Sequence, residues 1–312
     1  MQKVLIIGGT GYIGSHLYNF LKNDFEVDTV DLEWFGNCVN DKNSKIDMSE
    51  LSATVLHKYN SIILLAGHSS VKMCDGTMTS TMKNNVLNFV ELLEKISADQ
   101  TFIYASSSSV YGDTEQLKVT EEYNKFEPNN FYDLSKQEID SYASLTMPHK
   151  RIFGLRFGTV NGASPNLRND IMINAMVYNG LKNGKVYCFN PEIHRPILGI
   201  RDLCRAIGAI VSCGTDETKG IYNLSSFNTT ALEISTKVAS LLGVELEVVD
   251  TLPEVISNVK LQTKAYNFMI DSTKFSKTFQ FEFLETVETI VQSLIDDFAD
   301  MRKENRSSVK LY

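Results

Sequence analysis

The segment Lys3-Val-Leu-Ile-Ile-Gly-Gly-Thr-Gly-Tyr-Ile-Gly14 restricts the fold more than any other part of the chain. Val4 to Ile7 is a short, unbroken apolar run with β-branched residues, the pattern of a strand buried on both faces of a parallel sheet. Gly8, Gly9, Gly11 and Gly14 follow at once, and Ile13, Leu17, Phe20 and Leu21 then recur on one face at helical spacing. A strand, a glycine turn and a helix N-terminus together make an anion site. The turn lets backbone N–H groups approach a pyrophosphate, and the helix dipole adds partial positive charge. The spacing fits Gly-x-Gly-x-x-Gly through Gly9, Gly11 and Gly14, and equally Gly-x-x-Gly-x-x-Gly through Gly8, Gly11 and Gly14. A second strand, Glu26 to Val30, ends on Asp31, 17 residues after Gly14, where a carboxylate can grip an adenosine ribose. A purely structural glycine turn with a capping Asp is the alternative, and the ordered strand, turn, helix, strand and acid argue for a dinucleotide.

Strand and helix patterns alternate through the first half. Lys45–Met48 reads as a short third strand and 49–58 as helical. Ser61–Ala66 is a buried strand broken by Gly67, and Val86, Phe89, Val90, Leu93 and Ile96 mark a helix. Thr101–Ala105 is a strand running into Ser106–Ser109, residues 113–130 read as a surface excursion, Tyr132–Leu145 as a helix and Arg151–Arg156 as a strand. Such alternation predicts an α/β fold, a doubly wound parallel sheet with helices on both faces. The second half is less regular. It predicts helices over 171–182, 201–212 and 231–242, strands over 185–189, 221–224, 245–249 and 266–270, and a final amphipathic helix from Val287 to Phe298. Residues 302–312 are mostly polar and are expected to fray. A soft boundary near Phe157 divides a dinucleotide-binding part, 1–157, from a smaller mixed α/β substrate-binding part, 158–312, interleaved with the first sheet.

Composition excludes several function classes. A net charge of −8 without a basic cluster argues against nucleic-acid binding. A core strand begins within a few residues of Met1, which leaves no room for a signal peptide, and no apolar run approaches a membrane span. The five cysteines form no Cys-x-x-Cys pair and read as free thiols of a cytoplasmic protein, and the five histidines show no metal-ligand spacing. No metal is expected.

The chemistry is expected at the carboxyl end of the first sheet, where ligands of such sheets bind. Tyr132-Asp-Leu-Ser-Lys136 stacks a phenol and an ammonium on one helix face, four residues apart. A nearby ammonium favours phenolate and is expected to lower the tyrosine from about 10 toward working pH. A phenol tuned in this way can take a hydroxyl proton while hydride leaves the same carbon. The serine cluster at the end of the Thr101 strand supplies a hydroxyl to hold the reacting group. Asp31 would accept ribose hydrogen bonds and repel a 2′-phosphate. Its neighbours, Leu32 and Glu33, offer no cation, so NAD is predicted over NADP.

With these motifs in view, the chain resembles the extended short-chain dehydrogenase/reductases, specifically the NAD-dependent sugar-nucleotide epimerase/dehydratase family. The resemblance spans nearly the whole chain. It rests on the Gly8–Gly14 turn, Leu65-Ala-Gly67, Asn84-Asn-Val86, Ser106-Ser-Ser-Ser-Val-Tyr-Gly112, Tyr132-x-x-x-Lys136, Leu155-Arg-Phe157 and Arg195-Pro196 followed by Asp202. It implies a Rossmann-type sheet, with Ser107, Tyr132 and Lys136 as the catalytic residues. Gly8, Gly11, Tyr12, Ile13, Gly14, Asp31, Asp47, Met48, Leu65, Ala66, Gly67, Asn84 and Lys136 would bind the cofactor. Ser108, Ser109, Asn161, Arg168 and Arg195 would face the substrate, Arg195 at a phosphate, and Asn166 would lie on the same loop. It also implies a homodimer through a four-helix bundle built from helices 85–96 and 132–145.

The departures bear on the reaction. Dehydratases of this family carry Asp-Glu after the catalytic hydroxyl; this chain has Ser108-Ser109. Thr159, Asn161 and Gly199 stand where many members have Asn, Tyr and His. The expected function is NAD-dependent oxidation at C4 of a nucleoside-diphosphate sugar, ending as a C4 epimerase or a net 4-dehydrogenase. A 4-keto-sugar reductase, a 4,6-dehydratase and a non-catalytic NAD-binding sensor are the alternatives.

Overall fold

The computed structural model describes residues 1–39, 42–213, 218–250 and 266–297. The first strands in chain order are β1 (Lys3–Ile7), β2 (Glu26–Val30), β3 (Asn43–Ser44), β4 (Ser61–Leu64), β5 (Thr101–Ser107) and β6 (Lys118–Val119). They are followed by β7 (Arg151–Phe157), β8 (Thr159–Asn161), β9 (Lys185–Phe189), β10 (His194–Gly199), β11 (Gly220–Leu224), β12 (Phe227–Thr230), β13 (Glu245–Val249) and β14 (Met269–Ile270). The helices of the first half are α1 (Tyr12–Leu21), α2 (Ala53–Leu56), α3 (Val71–Cys74), α4 (Met78–Met82), α5 (Asn88–Lys95) and α6 (Phe131–Thr146). Those of the second are α7 (Met172–Asn183), α8 (Ile200–Ser212), α9 (Ala231–Leu242), α10 (Thr273–Phe279) and α11 (Val287–Asp296).

The central sheet has seven strands in the order β11-β7-β5-β4-β1-β2-β3, all parallel. Successive residues of β1 serve opposite faces. Val4 and Ile6 pack with Ile63, Ile103 and Phe153 against Leu17 and Leu21 of α1 and Leu203, Ile207 and Ile210 of α8. Leu5 and Ile7 pack with Ile62, Leu64 and Phe102 against Phe89, Leu92 and Leu93 of α5 and Ile139 of α6. Burial on both faces is why β1 has no polar alternation. The sheet is the doubly wound Rossmann-type sheet expected, and its strand order reverses between β1 and β4, where the glycine turn lies. Its edge strand, β11, comes from beyond Phe157.

The rest of the second half gathers around a core of Ile173, Val177, Val186, Ile197, Ile234, Val238, Ile290 and Leu294. There β10 pairs in parallel with β8 and antiparallel with β12, and β9 pairs in parallel with β13.

Several predicted elements shift. The third strand is Asn43–Ser44 rather than Lys45–Met48, because Asp47 accepts the Ser49 N–H at 2.9 Å and turns Met48–Glu50 into a 3₁₀ turn. The helix expected over 49–58 contracts to α2, capped by Ser52. The helix expected from Val86 begins as α4 and passes through a π turn, Lys83–Leu87, before α5. Residues 113–130 contain β6, whose Val119 is buried against Tyr111, Phe268 and Ile270. Strands β8, β10 and β12 and helix α10 have no counterpart in the sequence reading, and the 266–270 strand shortens to β14. Phe298 and the tail from Arg302 lie outside the described residues. Among the described residues no helix is long and apolar enough to cross a membrane.

Candidate active site

One cleft of about 1680 Å³ runs across the carboxyl end of the central sheet, from Asp31 and Trp34 past the glycine turn to Tyr132 and on to Arg195. Its floor is the glycine turn. Gly8 has φ +93°, and a Cβ there would sit 2.5 Å from the Ala66 nitrogen, so only glycine lets the turn lie against the end of β4. At Gly11 a Cβ would meet only the Gly8 oxygen, at 3.3 Å, so its absence keeps the mouth of the turn open. Gly11 caps α1 without a side-chain hydrogen bond, and the first N–H groups of any helix lack intrahelical partners. The site therefore presents unspent N–H donors and a helix dipole beside an open cradle, which fits a pyrophosphate.

Asp31 stands at one end of this cradle. Its Oδ2 accepts the Thr10 N–H at 3.1 Å and its Oδ1 the Glu33 N–H at 2.7 Å. Two carboxylate oxygens offer about four lone pairs, so acceptor capacity remains for a ribose diol. Lys45, a cation near Asp31 that sequence reasoning overlooked, is spent on Glu33 at 3.3 Å. Asn37 and Asn43 donate to the same Glu33 carboxylate, at 2.8 and 3.0 Å. These residues fit NAD.

Asp47, Met48, Leu65, Ala66, Gly67 and Asn84 line the cleft, as do Gly8, Gly11, Tyr12, Ile13 and Gly14. Leu65 and Ala66 both donate to the Ile7 carbonyl, at 2.7 and 2.9 Å, which seats this edge beside the turn. The Asn84 amide meets His68 Nε2 at 3.3 Å, and His68 Nδ1 meets Thr81 Oγ1 at 3.0 Å. Burial lowers the His68 pKa and favours the neutral ring. Asn85, in the π turn, accepts the His68 N–H at 2.8 Å and donates to Ser135 Oγ at 3.0 Å, tying this edge to α6. Tyr12 spends its hydroxyl away from any ligand: it donates to the Gly162 carbonyl at 2.8 Å and accepts from Asn174 at 3.2 Å. His68 and Trp34 carry no motif of their own, the one sequence signal being that His68 follows the Gly67 break, and Asn85 falls inside the Asn84-Asn-Val86 motif without a role assigned to it.

Ser107, Tyr132 and Lys136 converge on the cleft. Asn130 caps α6 by accepting the Asp133 N–H at 3.0 Å, which points the first turn of the helix at the end of β5. The Ser107 hydroxyl neighbours the Tyr132 phenol and lowers its pKa, while its own hydrogen bonds run to Ser109 Oγ at 2.8 Å and the Ser109 N–H at 3.2 Å. The expected acidification of that phenol is absent in the protein alone. Burial pushes Tyr132 up to about 12, against a smaller lowering by the Ser107 hydroxyl. The Lys136 ammonium lies 5.8 Å from the ring centroid and donates to the Ala105 carbonyl at 2.7 Å, and burial brings it down to about 8.

One turn beyond Lys136, Asp140 pairs with Arg156 at 2.7 Å, both nearly fully buried. Tyr104 donates to Asp140 at 2.9 Å, while Arg156 donates to Tyr111 at 2.9 Å and Tyr111 to Asn223 at 2.7 Å. This network fastens α6 to β5, β7 and β11.

The substrate-side expectations divide. Ser108, Ser109, Arg168 and Arg195 line the cleft. Arg168 forks onto Asp170 at 3.0 and 2.8 Å, and Arg195 donates to the Tyr266 carbonyl at 3.1 Å without an ion pair among the described residues. Asn161 is a correction. It is fully buried away from the cleft, accepts the Ile173 N–H at 2.9 Å and donates to the Thr159 carbonyl at 2.8 Å, so its amide starts α7. Asn166 donates to the Thr10 carbonyl at 2.5 Å and Ser164 to the Tyr12 carbonyl at 2.6 Å, so their loop grips the glycine turn. Among the described residues no group of three or more metal-ligating side chains is clustered.

Residues 4–225 match the model of the NAD dependent epimerase/dehydratase family. A UDP-glucose 4-epimerase of Yersinia enterocolitica is 30% identical over 190 residues, 53% of this chain and 55% of that protein, so the match spans about half the length of that relative. A GDP-6-deoxy-D-mannose reductase of Pseudomonas aeruginosa is 24% identical over 263 residues, 80% of this chain and 83% of that protein. Among solved structures, a UDP-glucuronic acid 4-epimerase from Bacillus cereus, in complex with UDP-glucuronic acid and NAD, superposes with a TM-score of 0.79. Its identity is 20%, covering 96% of this chain and 100% of that one, a likeness of fold.

Proposed function

From the premise that this chain belongs to the NAD-dependent epimerase/dehydratase family, we propose that it oxidises C4 of a nucleoside-diphosphate sugar and acts as a C4 epimerase or a net 4-dehydrogenase. The observation that carries the reading is the convergence of Ser107, Tyr132 and Lys136 on the cleft that holds the glycine turn. Bound NAD supplies a hydride acceptor and a positive ring. Ser107 orients the C4 hydroxyl, Tyr132 takes its proton, and Lys136 lends positive charge from the same helix face. Arg195, whose guanidinium has no carboxylate partner among the described residues, takes a diphosphate oxygen, and Arg168 closes the sugar side. Residues 1–157 chiefly hold the cofactor and 158–312 the substrate.

Ser108 and Ser109 stand where dehydratases of the family carry an Asp-Glu pair, and the lack of a carboxyl at these two positions disfavours water elimination. The homodimer belongs to the same proposal. It is supported by apolar side chains left exposed on adjacent helices: Met78, Leu87, Tyr142 and Leu145 are 51%, 52%, 39% and 80% exposed.

The test is incubation with a panel of UDP-, GDP-, dTDP- and ADP-sugars, read by mass and NMR. A C4 epimer without net NADH, or a 4-keto sugar with NADH, is the expected product. A 4-keto-6-deoxy sugar would redirect the reading to dehydration. Tyr132→Phe is expected to bind NAD and lose turnover by several orders of magnitude. Full turnover in that variant would overturn the assignment.

A further inference from the structure

The helix residue that follows the phenol is itself an acid. Asp133 is fully buried yet borders the cleft. Its Oδ2 accepts from Asn130 Nδ2 at 2.6 Å and from the Tyr266 hydroxyl at 2.5 Å. Its Oδ1 is buried without a direct hydrogen bond, and Ser109 is the cleft hydroxyl that faces the carboxyl. Ser109 Oγ lies 2.8 Å from Ser107 Oγ, and the Ser107 hydroxyl neighbours the Tyr132 phenol and lowers its pKa. Ser107 and Ser109, hydrogen-bonded to each other, therefore form a file of hydroxyls between the Tyr132 phenol and the Asp133 carboxyl. A carboxylate oxygen left buried and unmatched is destabilising. Protonation at Oδ1 would remove that cost, because the carboxylic acid could donate to Ser109.

We propose that Asp133 is the proton store of this active site, taking through Ser109 and Ser107 the proton that Tyr132 removes from the substrate. The inference rests on the proposed oxidation. The balance is simple. The sugar C–H gives a hydride to NAD and the sugar O–H gives a proton to Tyr132 as phenolate. The phenol proton moves to Ser107 as the Ser107 proton moves to Ser109 and the Ser109 proton to Asp133. The products are a ketone, NADH, a restored phenolate and one carboxylic acid, and the reverse shift returns the proton when the ketone is reduced. Asp133 touches no reacting atom and is a positioning and relay residue. The titratable groups around it are Tyr132 on its own helix, Cys74 on α3 and Tyr266. Burial raises the Asp133 pKa, in the direction a proton store requires.

The plainer role for Asp133 is that of an acid in the first turn of α6, stabilised by the helix dipole. Ser109→Ala separates the two, because it breaks the file and leaves the cap and its charge. The first measurement needs no substrate. In the NAD-loaded protein, the Tyr132 phenolate absorbance (wild type minus Tyr132→Phe) and the infrared band of the protonated Asp133 carboxyl (wild type minus Asp133→Asn) are followed against pH. The relay predicts a carboxyl titrating above the ordinary range and a shift of about tenfold or more in Tyr132 proton affinity in Ser109→Ala, the scale of one hydrogen bond to a charged group. A carboxyl that titrates in the ordinary range, or a Tyr132 titration unmoved in Ser109→Ala, overturns it. The second measurement uses whichever nucleotide sugar is turned over. Asp133→Asn should lose the acid limb of the rate profile, and Asp133→Glu should restore it. Unfolding temperature and NAD-dependent Trp34 fluorescence verify that each variant is folded and loaded. If no sugar is turned over, the proposed reaction fails while the titrations still decide the relay.

Discussion

Lys136 and Tyr132 share one face of α6, but the ammonium lies 5.8 Å from the ring centroid and donates its hydrogen bond to the Ala105 carbonyl at 2.7 Å. The protein alone therefore holds a neutral phenol and a lysine whose charge is penalised by burial. The phenol is far from the ionisation that proton abstraction needs, and bound cofactor has to complete the electrostatics.

The lysine should be visible in the pH dependence of stability. Burial lowers its folded pKa from 10.5 to about 8. Between those values the unfolded chain binds more protons than the folded one, so stability rises with pH. Without cofactor, the unfolding free energy of the wild type relative to Lys136→Met should climb by about 2–3 kcal/mol from pH 8 to pH 10. Tyr132, raised from 10.0 to about 12, acts in the opposite sense above pH 10, where the folded state retains its proton and stability falls. Urea titrations across this range measure the difference; a flat difference would mean that Lys136 is not desolvated.

Asp31 should set cofactor choice. The chain contains one tryptophan, and Trp34 lines the cleft beside Asp31 and packs on His68 at 6.0 Å between ring centroids. NAD should quench it, and NADP should bind about ten- to hundredfold more weakly, the worth of one charged hydrogen bond. Asp31→Ala should narrow that gap chiefly by weakening NAD. Equal affinity of the wild type for both cofactors would remove Asp31 from the ribose.

Asp140 should matter to stability far more than its charge suggests. Its removal strands the Arg156 guanidinium inside the protein, so Asp140→Ala should cost about 3–5 kcal/mol in equilibrium unfolding. The surface pair Lys125–Glu115 is a control: both side chains are more than half exposed, and Glu115→Ala should cause no measurable change.

The dimer can be examined by light scattering. Replacing Leu87 and Leu145 together with Glu should convert a dimer to a monomer that still binds NAD. A monomeric wild type would leave those exposed side chains without the partner proposed for them.

The site was most legible where chemistry needs contiguous residues. The glycine turn, Asp31 and the Tyr132–Lys136 pair each signal within one element, and the structure joins them in one cleft. Legibility failed where a role depends on a distant partner. Asn161 has the chemistry of a ligand and is spent on the Ile173 N–H at 2.9 Å. Periodicity alone carried no sign of His68, Asn85 or Asp133, because Thr81, Ser135 and Tyr266, which tie them to the site, lie 13, 50 and 133 residues away. The phenol was misjudged because helical spacing reports neighbours and not desolvation. Strand β3 was misplaced because the Asp47 side chain captured the Ser49 N–H and overrode local strand propensity.

The grip of Ser164 and Asn166 on the glycine turn bears on modularity. The nucleotide half is not a cassette: its anion cradle is braced by a loop more than 140 residues downstream, and its sheet is finished by a strand later still. Chimeras that trade sugar specificity by exchanging everything after Phe157 would also exchange the clasp on the cofactor, and should be cut so that Gly162, Ser164 and Asn166 stay with the turn they hold.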